Sequence, residues 1–337
     1  IAIQDIQHKK ILFCVLHWGM GHATRSAAII KKLIEQNNEI AIASDSESLL
    51  FLKESFPNCQ HIELPSYDIR YSNALPFWLS FLIQLPKING AIHAEKKQVD
   101  QFIGHQKFDL IISDNRFGCR HSQVKSILIT HQINIQARFF LSRKLVNFFN
   151  HKYIHTFDEI WVPDDDRSSM SGKLSQGALS VPKKYIGIQS ILSPPSIVSE
   201  MPPIDYLFIL SGPEPSRSHF EQKILQKISH SKLAITLVGG SMQNDSLTSI
   251  AANIHYISFA NHERLAELIQ VSKAIVCRSG YSTLMDLAKM NYTGKVILVP
   301  TPGQTEQEYL AEFHSSKLNY TAYNEEIFLN NFENILH

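Results

Sequence analysis

The segment Ala274–Ala311, AIVCRSGYSTLMDLAKMNYTGKVILVPTPGQTEQEYLA, decides the fold. Ala274–Cys277 is a short β-rich apolar run and reads as a buried parallel strand. It ends in Arg278-Ser279-Gly280, where helical spacing begins at once, with Leu284, Leu287 and Ala288 on one face. Lys295–Val299 is a second buried-strand run, stopped by Pro300-Thr301-Pro302-Gly303. Thr305 can then cap a helix running through Gln307 and Leu310. Two strand–turn–helix units in tandem put two helix N-termini at one edge of a parallel sheet. Free N–H groups and the positive helix end make such an edge an anion site.

Three features in this order, Cys277-Arg278-Ser279-Gly280-Tyr281-Ser282-Thr283, the acidic Asp286, and Pro300 through Gln307, resemble the donor-sugar half of family 28 glycosyltransferases. The resemblance is specific over Phe259–Ala311, suggestive at Gly19–Arg25 and diffuse between. Members usually carry Glu at the position of Asp286, so this chain keeps the carboxylate and shortens its reach by one methylene. The resemblance implies an α/β chain of GT-B fold: two doubly wound Rossmann-like domains with an interdomain cleft. It implies transfer of a hexose or N-acetylhexosamine from a UDP-sugar, inverting, with no metal and no cofactor beyond the donor itself.

The same resemblance assigns candidate donor residues. Asp286 would accept two ribose hydroxyls, and Ser279, Gly280, Ser282 and Thr283 would hold the diphosphate at a helix start. Gln304, Thr305, Glu306 and Gln307 would read the sugar. Ser211 and Gly212 form another candidate helix start, with Arg217 for phosphate and Phe259 for stacking near the base. Each has a plain structural counterpart: dipole-compensating charge for Asp286, and simple capping for Gln304–Gln307. Where members often carry a longer glycine-rich loop, this chain has Leu210-Ser211-Gly212-Pro213-Glu214.

Near the N-terminus, Lys10–His17 reads as a strand, followed by Trp18-Gly19-Met20-Gly21-His22-Ala23-Thr24-Arg25 and a helix with a broad apolar stripe. Three readings fit that loop. One is a dinucleotide fingerprint with Asp45 at the next strand end for a ribose, although Thr24 replaces the third glycine. Another is the glycine-rich acceptor loop of the glycosyltransferases, which also ends in Gly-His. The third is a tight turn with a capping imidazole. Sugar transfer needs a base for the acceptor proton and a group to hold the leaving diphosphate. His22 suits the first task, because imidazole titrates near neutral pH.

Asp114-Asn115-Arg116 and His131-Gln132 stand at the C-terminal ends of two expected strands, where open α/β sheets bind ligands. Asp114 could orient His22 or act as the base, and Arg116 or His131 could meet an acceptor phosphate. Gly19, Gly21, Thr24 and Asn115 complete the acceptor-side candidates. No Asp-x-Asp motif lies at a strand end. The run Asp164-Asp165-Asp166 reads as a solvated turn and helix cap.

At 337 residues the chain exceeds one comfortable core. We expect an acceptor domain over 1–189, a Pro/Ser-rich linker over 190–204 and a nucleotide-sugar domain over 205–320. A closing helix over 321–337 would return to the first domain. A net charge of +1 gives no case for nucleic acid, although residues 1–163 carry an excess of +4 and residues 164–337 one of −3. Cys14, Cys59, Cys119 and Cys277 fall singly, without ligand or disulfide spacing, which fits a reduced cytoplasmic setting. The chain begins at Ile1 rather than Met, which is compatible with a removed leader.

Two stretches bear on the acceptor, whose identity as lipid, glycan or small molecule the sequence leaves open. Leu75–Ile83 is apolar but far too short to span a bilayer. Arg138–Phe157 mixes aromatics with Arg138, Arg143, Lys144 and Lys152. It fits either peripheral contact with the inner face of a membrane or a helix on a sheet face. A UDP-sugar 2-epimerase of the same fold is an alternative, told apart by turnover of UDP-sugar alone. A silent nucleotide-sugar binding module would bind UDP without turnover, and an NAD dehydrogenase would bind NAD.

Overall fold

A computed structural model describes residues 2–67, 77–137, 139–195, 201–212, 214–240 and 247–336. Leu75 and Pro76 of the apolar run, Arg138 of the basic-aromatic stretch, Pro213 and residues 196–200 of the expected linker lie outside the described residues. The chain divides into two compact units, Ile1–Gln189 and Ser190–His337.

In the first unit, strands β1 (Lys10–Val15), β2 (Glu39–Ser44), β3 (Gln60–Glu63), β4 (Leu110–Asp114), β5 (Lys125–Ile129), β6 (Glu159–Val162) and β7 (Lys183–Tyr185) form one parallel sheet. Their order is β3-β2-β1-β4-β5-β6-β7. Ile11 through Val15 are all buried because the sheet is covered on both faces, so β1 reads as an unbroken apolar run. The helices are α1 (Met20–Glu35), α2 (Ser46–Ser55), α3 (Phe77–His105) and α4 (Phe140–Ile154). Strand order reverses between β1 and β4, and their carboxyl ends flank the crevice where open sheets bind ligands.

The second unit repeats the plan. Strands β8 (Ile204–Ile209), β9 (Ile235–Val238), β10 (Leu247–Ala251), β11 (Ile254–Ile257), β12 (Ser272–Cys277), β13 (Lys295–Leu298) and β14 (Tyr320–Ala322) lie in the order β10-β11-β9-β8-β12-β13-β14. All neighbours run parallel except β10 and β11. Helices α5 (Ser216–Ile228), α6 (His262–Val271), α7 (Tyr281–Lys289) and α8 (Thr305–His314) alternate with the strands, and α9 (Glu325–Asn330) and α10 (Phe332–Leu336) close the chain. The reversal falls between β8 and β12, at the carboxyl edge from which α5 and α7 begin.

The closing helix differs from expectation. It is two short helices, and Phe328, Phe332 and Leu336 join the core of the second unit with Phe208, Phe220 and Val276. Phe332 stacks on Phe208 with ring centroids 6.1 Å apart, and the Tyr206 hydroxyl donates to the Leu336 carbonyl at 2.7 Å. Apolar side chains at i, i+4 and i+8 form a seam that buries on the nearest sheet, here its own domain's.

Candidate active site

The first cluster gathers at the carboxyl ends of β1 and β4. Gly19 precedes α1 with φ of 77°, a left-handed conformation that glycine adopts without strain. It turns the chain so that α1 starts at Met20, with Gly21 and His22 in the first turn. His22 Nδ1 lies 2.9 Å from Asp114 Oδ1 and 2.7 Å from an Arg25 guanidinium nitrogen. It can donate to the first or accept from the second, not both. The same Arg25 nitrogen, Nη2, also donates to Asp114 Oδ1, and Nε donates to Oδ2 at 2.8 Å. We assign Nδ1–H as donor to the carboxylate, the tautomer that pairs the ring with the buried anion, and the base lone pair then falls on Nε2.

Asp114 is fully buried and also accepts from Ser26 Oγ at 2.9 Å. Burial alone would raise its carboxyl, but Arg25 and His22 outweigh burial and hold it well below the usual carboxylate range. His22 shifts down from 6.5: burial and the Arg25 charge disfavour imidazolium more than Asp114 favours it. The ring keeps 14% of its side chain exposed. A neutral, oriented imidazole with one open nitrogen can take a proton from a hydroxyl. His131 is buried, with Nδ1 3.3 Å from Arg25 Nη1, so Arg25 bridges both histidines to Asp114.

Several acceptor-side expectations are corrected. Arg116 cannot meet an acceptor phosphate: it is fully buried, paired with Glu95 at 2.7 Å and Asp45 at 2.9 Å, and bonded to the Pro65 carbonyl. Asp45 is thereby committed to Arg116 and buried, which removes it as a ribose ligand in the dinucleotide reading. Burial pushes Glu95 up to about 7 against the pull of Arg116 and the Tyr67 hydroxyl. Asn115 takes φ of 55°, a conformation Asn tolerates, and Arg116 follows it with its amide on Ser113 Oγ at 3.2 Å. Thr24 donates its hydroxyl to the Gly21 carbonyl at 3.2 Å. Asp164 is not a solvated turn but fully buried, accepting from the Asp165 amide at 2.7 Å and the Ser171 amide at 2.8 Å.

In the second unit, α7 and α8 start from the ends of the adjacent strands β12 and β13, as the motif predicts. Gly280 is the N-cap of α7, and Ser282 and Thr283 sit half-buried in its first turn. Gln304, not Thr305, is the N-cap of α8, after Gly303 with φ of 81°. Gln304, Thr305 and Glu306 are half-buried, and so are Ser211 and Phe259; Gly212 has φ of 116°. Two motif residues face inward instead. Ser279 Oγ donates to the Gln307 carbonyl at 2.7 Å, and Gln307 Oε1 accepts from the Thr301 amide at 2.8 Å, both residues being buried. The Ser279 side chain ties the start of α7 to α8, and the Gln307 side chain braces the loop before its own helix.

Arg278, next in the motif, does the same work. It is buried, donates to the carbonyls of Val299 and Pro300, pairs with Glu325 at 2.8 Å and lies 3.8 Å over the Phe220 ring. Arg217 is also committed, to Glu214, to Glu221 at 2.6 Å and to the Gly239 carbonyl at 2.6 Å, so the expected phosphate contact would have to break these bonds. Asp286 is half-buried, accepts from Ser190 Oγ, and burial pushes its carboxyl up to about 7 despite that bond.

Sequence reasoning missed Arg25, Ser26 and Ser190. Arg25 lies three residues after His22, a spacing that shares a helix face, and that was the one readable signal. Among the described residues, no group of three or more His, Cys, Asp or Glu could hold a metal ion.

Residues 217–330 match the family model of the glycosyltransferase family 28 C-terminal domain. The chain is similar to an uncharacterized glycosyltransferase of Methanosarcina acetivorans, 23% identical, with 89% of this chain and 81% of that one covered. A second such relative, in Methanosarcina mazei, is 24% identical over the same shares. Among solved structures, the glycotransferase of kitacinnamycin superposes with a TM-score of 0.65 at 10% identity, covering 98% of this chain and 92% of that one. Acinetobacter baumannii MurG gives 0.57 at 13%, covering 98% and 91%. The spinosyn rhamnosyltransferase SpnG, complexed with thymidine diphosphate, gives 0.64 at 11%, covering 97% and 91%. The fold is therefore GT-B, two Rossmann-like units, and the second unit is family 28-like.

Proposed function

We propose that the chain is a glycosyltransferase that moves a hexose or N-acetylhexosamine from a UDP-sugar to an acceptor hydroxyl, with inversion and without a metal. The observation that carries this reading is the His22–Asp114 pair, a neutral imidazole oriented by an ionised carboxylate, in a chain whose other unit matches the family 28 donor domain. His22 Nε2 takes the acceptor proton as the oxygen attacks the anomeric carbon. The bond to the diphosphate breaks, and the helix starts at Gly280 and Thr305 stabilise the charge that leaves. Asp286, in its ionised form, accepts the ribose hydroxyls.

A screen of UDP-sugars with candidate acceptors tests the reading. UDP release should require both substrates and persist in EDTA; release from UDP-sugar alone would favour an epimerase. Asp286→Ala should weaken UDP binding about tenfold or more in calorimetry, as expected for losing hydrogen bonds to a charged group. Unchanged affinity would remove the ribose assignment.

The acceptor side also favours a surface. No helix among the described residues is long and apolar enough to cross a membrane. Helix α4, however, turns its polar stripe inward: Asn147 and Asn150 bond the backbone of residues 132–135. Tyr153 packs inward on Phe117, but Phe140 and Phe148 point outward, 58% and 66% exposed beside Arg143, Lys144 and Lys152, and no acidic residue lies in the helix. That face suits an anionic bilayer surface. Phe140→Ser/Phe148→Ser should abolish flotation with phosphatidylglycerol vesicles without lowering the unfolding temperature. Retained flotation would discard α4 as the contact.

A further inference from the structure

Ser190 opens the second unit directly after Gln189, the last residue of the first. Its hydroxyl donates to Asp286 Oδ1 and accepts from the Leu192 amide at 3.1 Å. Ser190 and Leu192 are buried and Asp286 is half-buried, and the serine hydroxyl lies against one oxygen of the carboxylate. The bond spans 96 residues of sequence and pins the start of the unit to the second turn of α7.

We propose that Ser190 is a positioning residue of the donor site, holding the Asp286 carboxylate oriented and ionised for a nucleotide's ribose diol. This rests on reading the second unit as the nucleotide-sugar site. A carboxylate accepts from both hydroxyls of a diol only when ionised and turned toward it. Burial pushes Asp286 up to about 7, and the Ser190 bond is the influence that opposes it. Among the described residues no charged group enters that balance, from α7 or from any element beside it. The Ser190 hydroxyl is thus the influence that draws the carboxyl back toward its ionised form. The sign is fixed: diol recognition is full above the carboxyl's pKa and is lost as pH falls through about 7. Removing the hydroxyl moves that loss to higher pH.

The experiment compares calorimetric affinities of UDP and 2′,3′-dideoxy-UDP from pH 6 to 9. Wild type, Ser190→Ala and Ser190→Thr are each measured with the full chain. Both nucleotides carry the same diphosphate, whose own titration near about 6 cancels in the ratio of the two dissociation constants. For wild type the ratio should be about tenfold to a hundredfold at high pH and fall toward unity below neutrality. In Ser190→Ala the fall should begin at higher pH, so the ratio drops several-fold at pH 7 and little at pH 9. Ser190→Thr, which keeps the hydroxyl, should restore the wild-type curve. Superimposable wild-type and Ser190→Ala curves would overturn the proposal, as would an equal loss for both nucleotides at every pH. Binding of neither nucleotide would instead refute the donor-site reading, and the role of Ser190 with it.

Discussion

Replacing His22 by alanine should lower turnover by about 10²- to 10⁴-fold, the usual worth of a positioned general base. UDP affinity should be essentially unchanged. The two effects separate because His22 stands at the carboxyl end of β1 in the first unit, whereas the candidate donor residues stand on β12, α7 and α8 in the second. A hydroxyl is a poor nucleophile while it keeps its proton, so the cost falls on the chemical step. Turnover within a few-fold of wild type would sink His22 as the base.

The pH profile gives this expectation a second reading. Burial and the Arg25 charge lower His22 from 6.5, so the neutral, proton-accepting form persists to lower pH than for a free imidazole. The acid limb of kcat at saturating donor should therefore fall below 6.5. The comparison must use kcat, because kcat/KM also carries donor binding, and Asp286 is expected to titrate near 7 in the free protein. An acid limb of kcat above 7 would mean that imidazolium is favoured after all, against the influence of Arg25.

Much of the fold was legible because parallel strands covered on both faces leave unbroken apolar runs. The apolar stretches 110–112 of β4 and Ala274–Cys277 of β12 are of this kind. Helix α3 was not legible: Pro86 and Gly90 lie inside it, and in a bare sequence both residues signal a break. Strand β10 escaped because it is a short edge strand, LTSIA, paired on one side by an antiparallel neighbour. At the site, the residue types were readable and their directions were not. Ser279 and Gln307 belong to the recognised motif, yet the Ser279 hydroxyl bonds the backbone of α8 and the Gln307 amide bonds the Thr301 amide of its own loop, and nothing in the motif distinguishes a hydroxyl facing ligand from one facing a neighbouring element. Arg25 is the converse case. A buried arginine needs a partner for its charge, and Asp114 lies 89 residues away.

That pairing sets the largest stability effect expected in this chain. Asp114→Ala leaves the Arg25 guanidinium, 2% exposed, without the carboxylate that neutralises it. Removing one partner of a buried pair costs about 3–5 kcal/mol, because the remaining charge stays desolvated. Ser26 Oγ and His22 Nδ1 lose their acceptor as well, which adds to the cost. Denaturant unfolding of the full chain should show the transition of the first unit displaced and that of the second unchanged. Glu214→Ala is the control: its partner Arg217 keeps Glu221, Glu214 is 55% exposed, and such pairs contribute about 0–1 kcal/mol. The pH dependence has a definite sign. Asp114 is held below the usual carboxylate range, so its contribution is present above the unfolded value of about 3.9 and is lost as pH falls through the lower folded value. The gap between wild type and Asp114→Ala should stay constant from neutral pH to about pH 4 and narrow below it. A gap that closed near pH 7 would mean that Asp114 is protonated in the folded chain, and the ionised His22–Asp114 pair would have to be abandoned.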